Sequence, residues 1–131
     1  MSQLLSLVQR VNDMKTDTIS IQEVYNRLTI TPEQLKDFCI RWQIAELAVF
    51  GSILRDDFRL NGEIPSDIDL LFSEQDNARK NLILQVKMMF ELEEMLHRKV
   101  DLISKKAVLE DPNTIRRQHI LESAKVIYVE G

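Results

Sequence analysis

The sequence has 131 residues, of which 44% are hydrophobic and 29% are charged, a mixture typical of one globular domain rather than of a disordered chain. No apolar run approaches the ~18 residues that a membrane span needs, the N-terminus lacks a secretory signal pattern, and the single cysteine cannot form an internal disulfide. We therefore expect a cytoplasmic protein without a membrane anchor, and the net charge of −4 argues against a protein that mainly binds nucleic acid.

Helical patterns dominate the first part of the chain. Residues 4–11 carry apolar residues at helical spacing. Ser20 and Glu23 have the pattern of a capping box, which predicts a short helix from there to about Leu28. We interpret residues 1–30 as an N-terminal helical extension and residues 31–131 as the main domain.

A stronger helix start follows at Thr31, because Pro32 and Gln34 occupy favoured positions after a threonine cap. This helix should run to about Trp42. Together with the preceding helix it could be read as a helix-turn-helix. However, its few basic residues suit a DNA groove poorly, so DNA binding is not expected.

From residue 47 onwards, short apolar runs alternate with helical patterns. The predicted strands are Leu47–Phe50, Asp67–Phe72, Val100–Ile103 and Lys125–Val129. The predicted helices are residues 53–58, 77–98 and 113–123, and a loop is predicted around Asn61-Gly62 and Pro65. Such an order predicts an α+β fold, in which a small mixed sheet has helices packed on it.

Two aspartates, Asp67 and Asp69, interrupt the second predicted strand. Side chains at positions i and i+2 of a strand point to the same face. Two aligned carboxylates repel each other unless a cation lies between them, and oxygen ligands favour Mg²⁺. The alternative is a strand end at which solvated aspartates flank a loop.

Gly51 and Ser52 follow the first predicted strand directly. Backbone N–H groups at such a turn, together with the serine hydroxyl, can bind phosphate. Arg55, one turn further on, could hold an oxygen of a polyphosphate. Alone, this segment could be a plain strand-to-helix turn. In combination with the aspartate pair, it predicts a site for a metal and a nucleotide.

A third carboxylate, Asp101, lies in the third predicted strand. If that strand neighbours the second, Asp101 would lie beside Asp67 and Asp69. Nucleotidyl transfer uses such a group, because metal ions bridge the carboxylates and the phosphates while one carboxylate helps to deprotonate the attacking hydroxyl. The alternative is an ordinary surface residue of a strand.

The series G-S, S-D-I-D-L-L-F and V-D-L-I resembles the polymerase-β-type nucleotidyltransferase superfamily, and specifically its minimal branch, over about residues 31–129. That branch has one catalytic sheet-and-helix domain, here preceded by extra N-terminal helices. The resemblance implies roles for the residues already singled out. Phosphate-binding roles fall to Gly51 and Ser52 and, less directly, to Arg55; catalytic and Mg²⁺-binding roles fall to Asp67, Asp69 and Asp101.

The sequence departs from the family pattern between the two halves of the motif. Residues 53–66 separate Ser52 from Asp67, several more than in the common form. Asp56 also stands where a glycine often follows the arginine. Both departures bear on the expected role of Arg55.

The resemblance implies that this is an antitoxin enzyme. Minimal nucleotidyltransferases of this kind are commonly paired with HEPN ribonuclease toxins. The expected reaction is Mg²⁺-dependent transfer of AMP from ATP to a hydroxyl, that of a tyrosine, on the partner toxin, within a hetero-oligomer. Two alternatives remain open: an antitoxin that acts by binding alone, and a transferase for a small-molecule hydroxyl acceptor.

Overall fold

The computed structural model describes residues 19–60, 62, 65–79 and 81–131, so the helix predicted at residues 4–11 lies outside the described residues. The described ranges contain the helices α1 (Ile21–Leu28), α2 (Pro32–Arg41), α3 (Leu82–Leu96), α4 (Lys105–Leu109) and α5 (Thr114–Ser123). They also contain the strands β1 (Ile44–Phe50), β2 (Ile68–Glu74), β3 (Val100–Ser104) and β4 (Lys125–Val129), and a 3-10 turn at Gly51–Leu54. None of these helices is long and apolar enough to cross a membrane.

The four strands form one mixed sheet in the order β3-β2-β1-β4. β1 runs antiparallel to both β2 and β4, whereas β2 and β3 are parallel. The sheet and its helices confirm the predicted α+β fold. This pairing brings the end of β1 to the start of β2 and β3, since Phe50 pairs with Asp69 and Asp69 pairs with Asp101.

The hydrophobic core lies on both faces of the sheet, because successive strand residues point to opposite faces. The larger cluster joins one sheet face to α1, α2 and α3, and the smaller joins the other face to α4 and α5. In α1, Val24, Tyr25 and Leu28 belong to the larger cluster, and the Tyr25 hydroxyl donates to the Ile127 carbonyl at 2.8 Å. Residues 21–28 therefore share the core of the domain. The boundary at residue 30 stays a prediction.

Capping chemistry explains why the first two helices begin where the sequence predicts. The Ser20 hydroxyl accepts from the Glu23 N–H at 3.1 Å. Thr31 and Gln34 form a complete capping box, with Pro32 opening the helix. Each cap satisfies N–H groups that a helix start otherwise leaves unpaired.

Two predicted helices differ from the structure. The helix expected at residues 53–58 is wrong: a 3-10 turn ends at Leu54, and Arg55 has an extended backbone with φ −113° and ψ 166°. Asp56 and Asp57, which follow it, are poor residues for a helix interior. The helix expected at 77–98 begins later and ends earlier. The Asn81 side chain caps α3, and His97 ends it in the left-handed conformation.

Candidate active site

The turn after β1, Gly51–Leu54, is called the Gly-Ser turn below. Gly51 has φ +77°, in the left-handed region that favours glycine. A Cβ atom at Gly51 would collide with the Asp69 carboxylate. The Ser52 carbonyl accepts from the Arg55 N–H at 2.9 Å and so closes the turn. Any side chain at residue 51 would therefore fill the space between the turn and Asp69.

Asp69 and Asp101 face each other on neighbouring strands, at paired positions of the parallel ladder. The pKa of Asp69 is raised to about 6, first by burial and then by the charge of Asp101 and a hydrogen bond with it. The charge of Asp67 raises this pKa further, and that of Arg55 opposes the rise. Burial and like charge both disfavour an ionised Asp69. The structure thus brings these two predicted carboxylates together.

Asp67 lies just before β2 and is exposed, whereas Asp69 is half-buried. The Ser52 hydroxyl donates to the Asp67 carbonyl at 3.4 Å, so Asp67 lies beside the Gly-Ser turn. No three His, Cys, Asp or Glu side chains within the described ranges are arranged as a ready-made metal site. Of the three predicted carboxylates, two are therefore in contact, and Asp67 acts on Asp69 through its charge.

The donor set nevertheless suits Mg²⁺. Its atoms are carboxylate oxygens, and Mg²⁺ in proteins is usually held by one or two carboxylates, with water and substrate phosphates completing the shell. A divalent cation beside Asp69 and Asp101 would relieve the like-charge contact that raises the pKa of Asp69. A complete cage of protein ligands is not required for such an ion.

Arg55 is near the carboxylates but points largely into solvent. Its side chain is 58% exposed, and its Nε forms an ion pair with Asp57 Oδ1 at 3.2 Å. It lines an open cavity of about 300 Å³ beside the Gly-Ser turn. The other residues lining this cavity are Ser52, Asp57, Arg59, Pro65, Ser66 and Asp67. The cavity therefore lies between the Gly-Ser turn and the residues just before β2, which are the two ends of the segment that is longer than in the family motif.

Two further arginines contact the backbone next to this site, and the sequence analysis assigned a role to neither. Arg27 of α1 donates to the carbonyls of Ile53 and Arg55 at 2.9 and 2.6 Å. Arg98 donates to the Ser66 carbonyl at 3.0 Å. No local pattern marks such residues, since their partners are backbone carbonyls that lie 26 or more residues away in the chain.

Residues 33–130 of the chain match the family model described as "Polymerase beta, Nucleotidyltransferase". No curated protein is significantly similar to the chain in sequence.

Several solved structures share the fold, each at less than 25% sequence identity. A toxin–antitoxin complex with AMP-PNP has a TM-score of 0.54 and 16% identity, over 77% of this chain and 75% of that one. A complex of tri-AMPylated HEPN toxin with MNT antitoxin from Shewanella oneidensis has a TM-score of 0.53 and 17% identity, over 79% and 73%. A protein described as a minimal nucleotidyltransferase has a TM-score of 0.52 and 23% identity, over 83% and 97%.

Proposed function

The chain belongs to the polymerase beta nucleotidyltransferase family, and from this premise we propose that it transfers AMP from ATP to a tyrosine hydroxyl of a partner HEPN-type toxin, which it thereby neutralises. The observation that carries this proposal is the position of Gly51, whose missing side chain leaves room between the Gly-Ser turn and the Asp69–Asp101 pair. Phosphate donors and metal-binding carboxylates would meet in that space.

The binding of the nucleotide follows from the polar groups around the turn. Ser52 and the neighbouring backbone N–H groups would bind phosphate oxygens, and Arg55 could swing from Asp57 to a phosphate, since an exposed ion pair is weak. Asp67, Asp69 and Asp101 would hold Mg²⁺. Bound there, Mg²⁺ would neutralise the phosphates and stabilise the charge that develops on them.

Asp101 has a second role in this proposal. It would accept the proton of the attacking hydroxyl as the acceptor oxygen bonds to the α-phosphorus of ATP. The bond between the α-phosphorus and its bridging oxygen to the β-phosphate breaks, and pyrophosphate leaves. The products are the AMP-modified acceptor and pyrophosphate.

A protein partner explains an apolar surface on α3. Leu82, Ile83 and Phe90 are 73%, 70% and 60% exposed, although the other side of the helix is buried through Met88 and Leu92. Exposed apolar patches often mark contact sites for other proteins. The solved structures of similar fold that contain a HEPN toxin with an MNT antitoxin support a toxin as the partner.

The proposal is tested by incubating the protein with labelled ATP and Mg²⁺, with and without a HEPN-type toxin as the acceptor. We expect the partner to gain the mass of AMP, and the Asp101→Asn variant to add none while still binding the partner. Growth rescue by Asp101→Asn, with an unmodified toxin, would instead establish an antitoxin that acts by binding. Label appearing only in small molecules would establish a small-molecule acceptor.

A further inference from the structure

The connecting loop (residues 55–67) joins the Gly-Ser turn to Asp67, and it is longer than in the common family motif. Two residues within this loop, Arg59 and Ser66, are hydrogen-bonded to each other. The Arg59 N–H donates to the Ser66 hydroxyl at 2.8 Å, and the Ser66 N–H donates to the Arg59 carbonyl at 2.9 Å. Ser66 is only 5% exposed. This hydrogen-bonded pair, Arg59 and Ser66, is called the neck below, and it holds the backbone at these two positions together.

Arg98 secures this neck from the side of β3. The Nη1 atom of Arg98 donates to the carbonyls of Arg59 and Ser66 at 3.2 and 3.0 Å. Its Nη2 atom donates to the carbonyl of Leu60 at 2.8 Å. These three carbonyls therefore all accept hydrogen bonds from the single planar guanidinium group of Arg98. The guanidinium group holds its N–H donors in a rigid, planar fork. A lysine ammonium lacks this fork and could not donate to all three carbonyls in the same way.

Arg27 secures the other end of the loop from α1. Its Nη1 donates to the carbonyls of Ile53, within the Gly-Ser turn, and of Arg55, just after it. Its Nε pairs with Glu23 at 3.2 Å, and the Arg27 side chain is only 18% exposed. Arg27 is therefore held in place while it fixes the backbone around Ile53 and Arg55.

Both arginines also contact the same aromatic ring. The guanidinium carbons of Arg27 and Arg98 lie 5.7 and 5.0 Å from the centre of the Phe58 ring, at cation–π distance. Phe58 belongs to the connecting loop and packs against the main core. One ring thus links the contact at the Gly-Ser turn to the contact at the neck beside Asp67.

We propose that Arg27 and Arg98, joined through Phe58, are positioning residues that hold the Gly-Ser turn and the backbone beside Asp67 at a fixed separation for the bound triphosphate. This proposal rests on the proposed function. None of the three side chains needs to touch the nucleotide. Loss of either arginine would let one end of the loop move, and displacement of about 1 Å is enough to impair a site that depends on orientation.

The test replaces each arginine by lysine, which keeps the charge and removes the fork. Hydrogen exchange should become faster at the Arg55 amide in Arg27→Lys and at the Ser66 amide in Arg98→Lys. Affinity for MgATP should fall about tenfold in each, with a larger fall in AMP transfer, up to about a hundredfold. Arg41→Lys is the matched control, because Arg41 also lies over a ring, that of Phe38, and pairs with Glu91, neither of which lines the site.

Three outcomes would overturn the positioning role: unchanged exchange at both amides, MgATP affinity within about twofold of the original in both variants, or equal losses in the control. Phe58→Leu is a second variant, which removes the ring that both arginines contact and keeps the test usable if an arginine variant does not fold. It should also lower the affinity for MgATP. If the unsubstituted protein binds MgATP but transfers no AMP, the proposed function is refuted, and the affinity measurements still decide whether the two arginines are positioning residues. Absence of MgATP binding would refute both.

Discussion

Asp69→Asn should make the Mg²⁺-free protein more stable while it abolishes AMP transfer. Asparagine keeps the shape of aspartate and removes the charge that burial and Asp101 disfavour. Such a stabilising substitution is expected if Asp69 is a metal ligand, as we propose, because a binding site can hold charge that is unfavourable until its ligand is bound.

The magnitude follows from the pKa of Asp69, which rises from 3.8 to about 6. At 1.36 kcal/mol for each pKa unit, a rise of about two units would correspond to about 3 kcal/mol. Asp69 is only half-buried, so solvent screening reduces this to about 1–2 kcal/mol at neutral pH.

The sign of the effect depends on pH. Above pH 6, Asp69 is ionised in both the folded and the unfolded protein, and its charge destabilises the folded one. As the pH falls from about 6 towards 3.8, the folded protein takes up a proton first, so this destabilisation disappears. The advantage of Asp69→Asn should therefore be largest at neutral pH and mostly lost near pH 4.

The assay is urea unfolding with a chelator present, at about pH 7.5 and about pH 4. Asp56→Asn is the matched control, since Asp56 is an exposed aspartate of the neighbouring loop and its variant should leave stability at neutral pH unchanged. A variant at Asp69 that is less stable than the original at neutral pH would refute the reasoning, as would a difference that is equal at both pH values.

Three further predictions test the site and its support. Gly51→Ala should lower the free energy of unfolding by about 1–3 kcal/mol and abolish AMP transfer, because the new side chain strains the backbone and also collides with Asp69. Gly62→Ala is the control in the same unfolding assay: at φ +106°, with open space around the added Cβ, it should show the effect of backbone strain alone. Asp101→Asn should keep MgATP affinity within a few-fold by calorimetry while AMP transfer falls by orders of magnitude, and equal losses of both would contradict its role in the chemical step. Tyr25→Phe should cost about 1 kcal/mol in unfolding, because α1 loses its hydrogen bond to β4; an unchanged stability would favour residues 1–30 as a separate extension.

Local chemistry explains which elements could be predicted. Thr31, Pro32 and Gln34 start a helix through contacts made within four residues, and the structure has the helix there. The strands were predicted from short apolar runs, and β4 has the predicted bounds. The helix predicted after Gly51 is wrong. A 3-10 turn closes between Ser52 and Arg55, and at Arg55, where the backbone is extended, the carbonyl accepts from Arg27 of the distant helix α1.

The sequence by itself determined the order of the elements and the residues that could carry chemistry, because apolar period, capping residues and the Gly-Ser and aspartate motifs are local features. Only the tertiary structure decided that Asp69 and Asp101 lie side by side, since strand order and register depend on how the whole sheet packs. It also decided that Arg27 and Arg98 meet at Phe58, residues separated by up to 71 positions in the chain. A contact between a side chain and a distant backbone carbonyl leaves no pattern in the sequence, because every residue type carries the same carbonyl group.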